Sequence, residues 1–144
     1  MPPGFIFSPG IWIGEGKITL NTSPECIKFY TKWEITQISQ TIFDAIQIVE
    51  MQGVKEKVIN HFTFKDITST SFSVFLESEE MGKIEGIGMM SPTHFSWKIC
   101  PSFSSEGFEK YELLKNGDYR LHAEYSSADG YQTLVDGIIW KKTF

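Results

Sequence analysis

The segment Pro9–Leu20, PGIWIGEGKITL, decides how the rest of the chain is read. It has the make-up of a half-buried strand, yet Gly14 and Gly16 stand inside it. Glycine weakens a strand interior through entropy and lost packing, so there it marks a sharp bend or a close backbone approach. Gly14 and Gly16 share a face with Trp12, because strand side chains two apart point the same way. The reading that fits is the first strand of a closed barrel, Ile11–Leu20, with Trp12 as a plug at one end and the glycines at a barrel corner.

Outward from this strand, period-two alternation recurs between turn residues, giving about ten strands. The others are expected at Cys26–Ile38, Phe43–Gln52, Lys57–Thr68, Ser71–Ser78, Lys83–Ser91, Thr93–Cys100, Phe108–Lys115, Asp118–Ser126 and Gln132–Lys142. In the second strand Ile27, Phe29, Trp33 and Ile35 oppose Lys28, Lys32 and Glu34. Two stretches, Thr36–Val49 and Ser105–Leu114, are the best helix candidates, and both fit strands at least as well. Turn chemistry falls at Asn21–Pro24, Met51–Gly53, Glu79–Gly82, Ser91–Pro92, Asn116–Gly117 and Asp129–Gly130. The last two predict type I′ hairpins, in which both central residues need φ > 0.

Short connections make an antiparallel meander, since parallel order would need long crossovers. With no helical layer, the meander hides its apolar face and both edges by closing on itself. The fold class is therefore all-β: one up-and-down antiparallel barrel spanning residues 1–144 as a single domain. A barrel of this strand number is wider than side chains conveniently fill, which leaves room for a ligand.

Composition narrows the function. Net charge is −5, with 13 Lys and Arg against 18 Asp and Glu, which argues against nucleic acid as a partner. Arg120 is the sole arginine, so no cluster of guanidinium groups can grip a phosphate or carboxylate. Cys26 and Cys100 have no CxxC spacing and read as free thiols; a disulfide would need close Cα atoms and an oxidising compartment. MPPGFIFSPG lacks the basic and apolar regions of a signal peptide, and no stretch approaches the roughly 20 apolar residues of a membrane span. A soluble, cytoplasmic protein is expected.

Gly10-Ile11-Trp12 in the first strand of a meandering barrel resembles the calycin superfamily of lipocalins, fatty-acid-binding proteins and their relatives. GIWIGEGKI and the stretch Ser73–Gly88, SVFLESEEMGKIEGIG, are more similar to the nitrobindin-like branch. The resemblance implies a calycin-like barrel that holds a small ligand. That branch binds haem through a histidine of the last strand, whereas QTLVDGIIWKK has none and His61, His94 and His122 all lie earlier, so haem is disfavoured. Lipocalins pack a late arginine over the first-strand Trp; here Arg120 lies one strand early, and Lys141 or Lys142 would substitute. The Arg-x-Tyr pair of fatty-acid-binding proteins is not matched by YRLH at Tyr119–His122.

No residues assemble a nucleophile, a base and an oxyanion donor, and none has metal-ligand spacing. Arg120, His122 and Glu124 share one strand face and read either as a polar cluster for an anionic ligand or, more simply, as an outward ladder of solvated charges opposite Tyr119, Leu121, Ala123 and Tyr125. The remaining signal is aromatic. Trp12, Phe29, Trp33, Phe62, Phe64, Phe72, Phe95, Trp97, Tyr119 and Tyr125 either line a cavity or fill it. Tyr30, Asn60, Tyr119 and Arg120 are the candidate polar groups for orienting a ligand.

Two readings stay open. One is a non-enzymatic barrel that binds a small apolar ligand inside. The other is a filled barrel acting as a structural or protein-interaction module, with a homodimer or other homo-oligomer as one form open to it. An enzyme would require two titratable groups converging inside the barrel, which strand parity does not reveal.

Overall fold

The computed structural model describes residues 4–79, 82–102 and 105–143. These form β1 (Gly10–Leu20), β2 (Cys26–Ser39), β3 (Ile42–Met51), β4 (Val58–Lys65), β5 (Ser71–Ser78), β6 (Gly82–Met90), β7 (His94–Ser102), β8 (Ser105–Leu113), β9 (Tyr119–Ser127) and β10 (Gln132–Lys141). Consecutive strands pair antiparallel throughout, and β1 pairs with β10 to close the barrel. Among the described residues no helix is long and apolar enough to cross a membrane.

Both helix candidates are strand. Thr36–Val49 is divided by the β2–β3 hairpin, and Ser105–Leu114 is β8. The β4 strand stops three residues earlier than its sequence pattern, because Asp66 turns the chain out with φ 53°. The predicted Glu79–Gly82 turn lies partly outside the described residues, as does the Cys100 side chain; Cys26 is a free, exposed thiol.

The type I′ expectation is corrected. Gly117 and Gly130 have φ of 92° and 90°, but Asn116 and Asp129 do not have positive φ. In each hairpin the glycine N–H donates to the carbonyl three residues back, Leu114 and Ser127 respectively. A type I-like turn followed by a left-handed glycine satisfies the backbone, and the Asn116 Oδ1 accepts the Asp118 N–H besides.

The strand glycines mark close approach. In register, Gly16 stands between Phe29 of β2 and Gly137 of β10. A Cβ on Gly16 would sit 2.1 Å from the Asp136 carbonyl oxygen and 2.8 Å from the Phe29 ring. The same device recurs around the barrel. Gly88 lies under the Phe72 ring and Gly107 under the Tyr125 ring, where a Cβ would come within 2.1 and 2.2 Å. Each ring covers the bare backbone of its cross-strand partner and pins the register there.

One half of the interior is solid. A single 3-10 turn, Phe5–Phe7, precedes β1 and folds into the barrel end, with all three side chains buried. The Phe5 ring packs 5.2–5.5 Å from the rings of Trp12, Trp33, Phe95, Tyr111 and Tyr119. Phe7 packs against Phe43, Phe64 and Phe72. The plug expected at Trp12 is therefore Phe5. Trp12 walls it in, its indole N–H donating to the Ser8 carbonyl at 3.2 Å.

Candidate functional site

Size differences at the inward positions create the site. Towards the end carrying the β1–β2, β3–β4 and β9–β10 hairpins, the inward residues become aliphatic: Ile18, Val49, Leu76, Ala123 and Val135. These leave a cavity of about 300 Å³, floored by Phe62 and edged by Phe29. Four polar side chains reach its wall: Gln47, Asn60, Glu109 and Tyr125.

Glu109 faces inward because its register partners, Trp97 of β7 and Ala123 of β9, both do. It is the one buried charged residue among those described, with 8% of its surface exposed. The Tyr111 hydroxyl donates to Oε1 at 2.7 Å and the Tyr125 hydroxyl to Oε2 at 2.8 Å. Burial pushes the carboxyl pKa up, while the two hydroxyls and the Trp97 indole N–H partly oppose that shift. The Trp97 N–H nevertheless closes no hydrogen bond of its own. Tyr111 and Tyr125 are pushed well above the ordinary phenol range by burial and by the neighbouring carboxylate.

Opposite this group, the Asn60 amide donates to Gln47 Oε1 at 2.9 Å. The Asn60 Oδ1 is buried without a partner. Burying an unsatisfied carbonyl costs about 1–3 kcal/mol, so a group that supplies its hydrogen bond recovers that cost.

The residues singled out in the sequence separate into three places. Phe29, Asn60, Phe62 and Tyr125 line the cavity. Trp12, Trp33, Phe64, Phe95, Trp97 and Tyr119 belong to the packed aromatic half or its boundary with the cavity; Phe95, for example, stacks on Tyr111 at 4.9 Å. Tyr30 and Arg120 do not face the interior. Each lies between two inward residues, Phe29 and Thr31 or Tyr119 and Leu121, so the pleat turns it to the outer face. There they border an outer groove above Gly16 and Gly137.

All three histidines are also on the outside. His122 lies 2.7 Å from Asp136 and 2.8 Å from Glu124, which raise its pKa, Asp136 the more strongly. His61 meets Asp44 at 3.5 Å, and His94 meets the Ser91 hydroxyl at 2.8 Å. Among the described residues no three His, Cys, Asp or Glu side chains come together to hold a metal ion.

Sequence reasoning missed Glu109, Tyr111, Gln47 and the Phe5 plug. A signal existed for Glu109: strand parity puts it with Tyr111 on the face opposite Lys110 and Glu112. Phe108, on the outer face, made that parity look reversed. Chemically, the arrangement can bury an apolar body, accept hydrogen bonds from it and hold or release one proton at Glu109.

The fold has solved counterparts. An S-type phycobiliprotein lyase from Guillardia theta superposes with a TM-score of 0.75 over 97% of this chain and 92% of that one, at 9% identity. Rv2717c from M. tuberculosis superposes with a TM-score of 0.70 over 94% of this chain and 92% of that one, at 8% identity. At such identities the likeness is one of fold, a closed ten-stranded antiparallel barrel. No family model matches the chain, and no curated protein matches it either.

Proposed function

We propose that this barrel binds a small, largely apolar molecule in the cavity between Phe62 and the hairpin end. The observation that carries this reading is the asymmetry of the interior: one half is sealed by packed rings, while the other keeps about 300 Å³ beside polar groups. A cavity of that size, mostly apolar with a few convergent polar side chains, is the usual form of a small-molecule site. Binding is driven by removal of apolar surface from water, at about 25 cal/mol per Å². Asn60 and Glu109 fix the orientation. The likeness to a phycobiliprotein lyase is in keeping with a barrel that handles a small molecule.

Native mass spectrometry of freshly purified protein tests the reading, together with titration by the neutral dye Nile red. The expected result is a co-purified small molecule, or saturable dye fluorescence lost when Ala123→Trp fills the cavity. Protein at its bare mass that takes up no dye would overturn it.

A further inference from the structure

We infer that the ligand's apolar body carries a protonated nitrogen, and that this cation seats on the Glu109 carboxylate. This rests on the ligand-binding reading above and adds the chemical class. Glu109 is the one charged side chain buried among the described residues. None of the described lysines is buried, and Arg120 is exposed on the outer face, so among the described residues no protein cation shares the interior with it. A buried carboxylate without a cation is costly unless it takes a proton or a partner charge.

The lone pairs are arranged for a donor. Tyr111 and Tyr125 each give one hydrogen bond, to different oxygens of Glu109. They hold the carboxylate in place, and each oxygen keeps capacity to accept another hydrogen bond. Asn60 Oδ1, unpartnered in the same cavity wall, is a further acceptor. An ammonium group has three N–H donors and no acceptor, so it matches these groups. A carboxylate ligand would bring a second negative charge to Glu109, with no cation to separate the two.

Calorimetric titration of the full chain with decylamine, decanol and decanoate separates the cases. Decylamine is expected to bind about tenfold or more tightly than decanol, as a hydrogen bond to a charged group warrants. Decanoate is expected to bind most weakly. Glu109→Gln, of nearly equal shape, should abolish the preference, bringing decylamine to the level of decanol in the same variant. The wild-type protein supplies a second readout. As pH falls and Glu109 takes a proton, decylamine weakens while decanol does not. The titratable groups facing Glu109 are Tyr111 on its own strand and Tyr125 on β9, both held protonated by their raised pKa values; β7 presents the uncharged Trp97.

Decanoate binding as tightly as decylamine would overturn the assignment. So would an amine preference that survives Glu109→Gln, or one indifferent to pH. Decanol bound without any preference for the amine overturns the cation assignment alone and leaves the cavity reading standing. Failure of all three to bind overturns both.

Discussion

The two halves of this barrel are built from the same strands with the same alternation, yet one is a core and the other a cavity. In the plugged half Phe5, Phe7, Trp33, Phe64 and Phe95 are all but fully buried and pack ring against ring. In the other half the corresponding wall is Val49, Leu76, Ala123 and Val135, and the space they leave meets Glu109. Side-chain volume at alternate positions, not topology, divides the interior. Rings from opposite walls meet across a barrel this wide only with help from a segment that enters it, and Phe5–Phe7 is that segment. The hairpin end has no such filler among the described residues.

The sharpest way to break the contrast is to remove the plug. Phe5→Ala should cost about 3–5 kcal/mol in urea unfolding, the range for truncating a buried aromatic. A loss under about 1 kcal/mol would mean that the plugged half does not depend on it. Next comes a paired overpacking test. Ala45→Leu, in the filled region between Ile35 and Phe62, should cost about 1–3 kcal/mol. Ala123→Leu, on the cavity wall, should change stability by less than about 1 kcal/mol and reduce dye uptake. Equal costs at the two sites would erase the distinction.

A third test follows the charge. The folded-state pKa of Glu109 is raised above its unfolded value, so the folded protein binds the extra proton. Stability from this group is present below the unfolded carboxyl pKa and is lost as pH rises through the raised folded value. Thermal melts should therefore show Glu109→Gln gaining on the wild-type protein over that rise, and a flat difference would contradict it. The smallest effect is expected outside. His122, also raised by Asp136 and Glu124, contributes stability below its unfolded pKa that is lost as pH rises through the folded one. Because all three groups are solvated, His122→Ala should cost under about 1 kcal/mol in low-pH melts.

The strand pattern was legible because a half-buried sheet writes its burial into every second residue. Phe29, Trp33, Phe62, Phe64, Phe95 and Trp97 all point inward as their parity requires. Parity also placed Arg120 opposite Tyr119 and Leu121, so assigning both Arg120 and Tyr119 to one interior site was inconsistent with the pleat. What parity cannot carry is position along the barrel axis. Whether Trp97 fills space or bounds it depends on which rings reach it from other walls, here Phe62, Phe64 and Tyr111. The Phe5 plug escaped notice because three residues of 3-10 turn have too short a period to register. Glu109 was hidden because a charge at an inward position resembles an error of register until its two tyrosine donors are seen in space.

The β1–β10 seam also bears on how the barrel is made. It pairs Trp12 with Lys141 and Thr19 with Leu134, the most distant partners in the sequence. Loop closure over such separations is slow, so this ladder belongs to the end of folding rather than its start. Until then β1 and β10 are open edges, the kind that recruit strands from other molecules. Gly14 and Gly16 make β1 a poor template for such pairing, since a glycine-interrupted strand offers few side chains to interdigitate. The bare backbone that lets β1 settle against Gly137 thus also protects the nascent protein from its own copies.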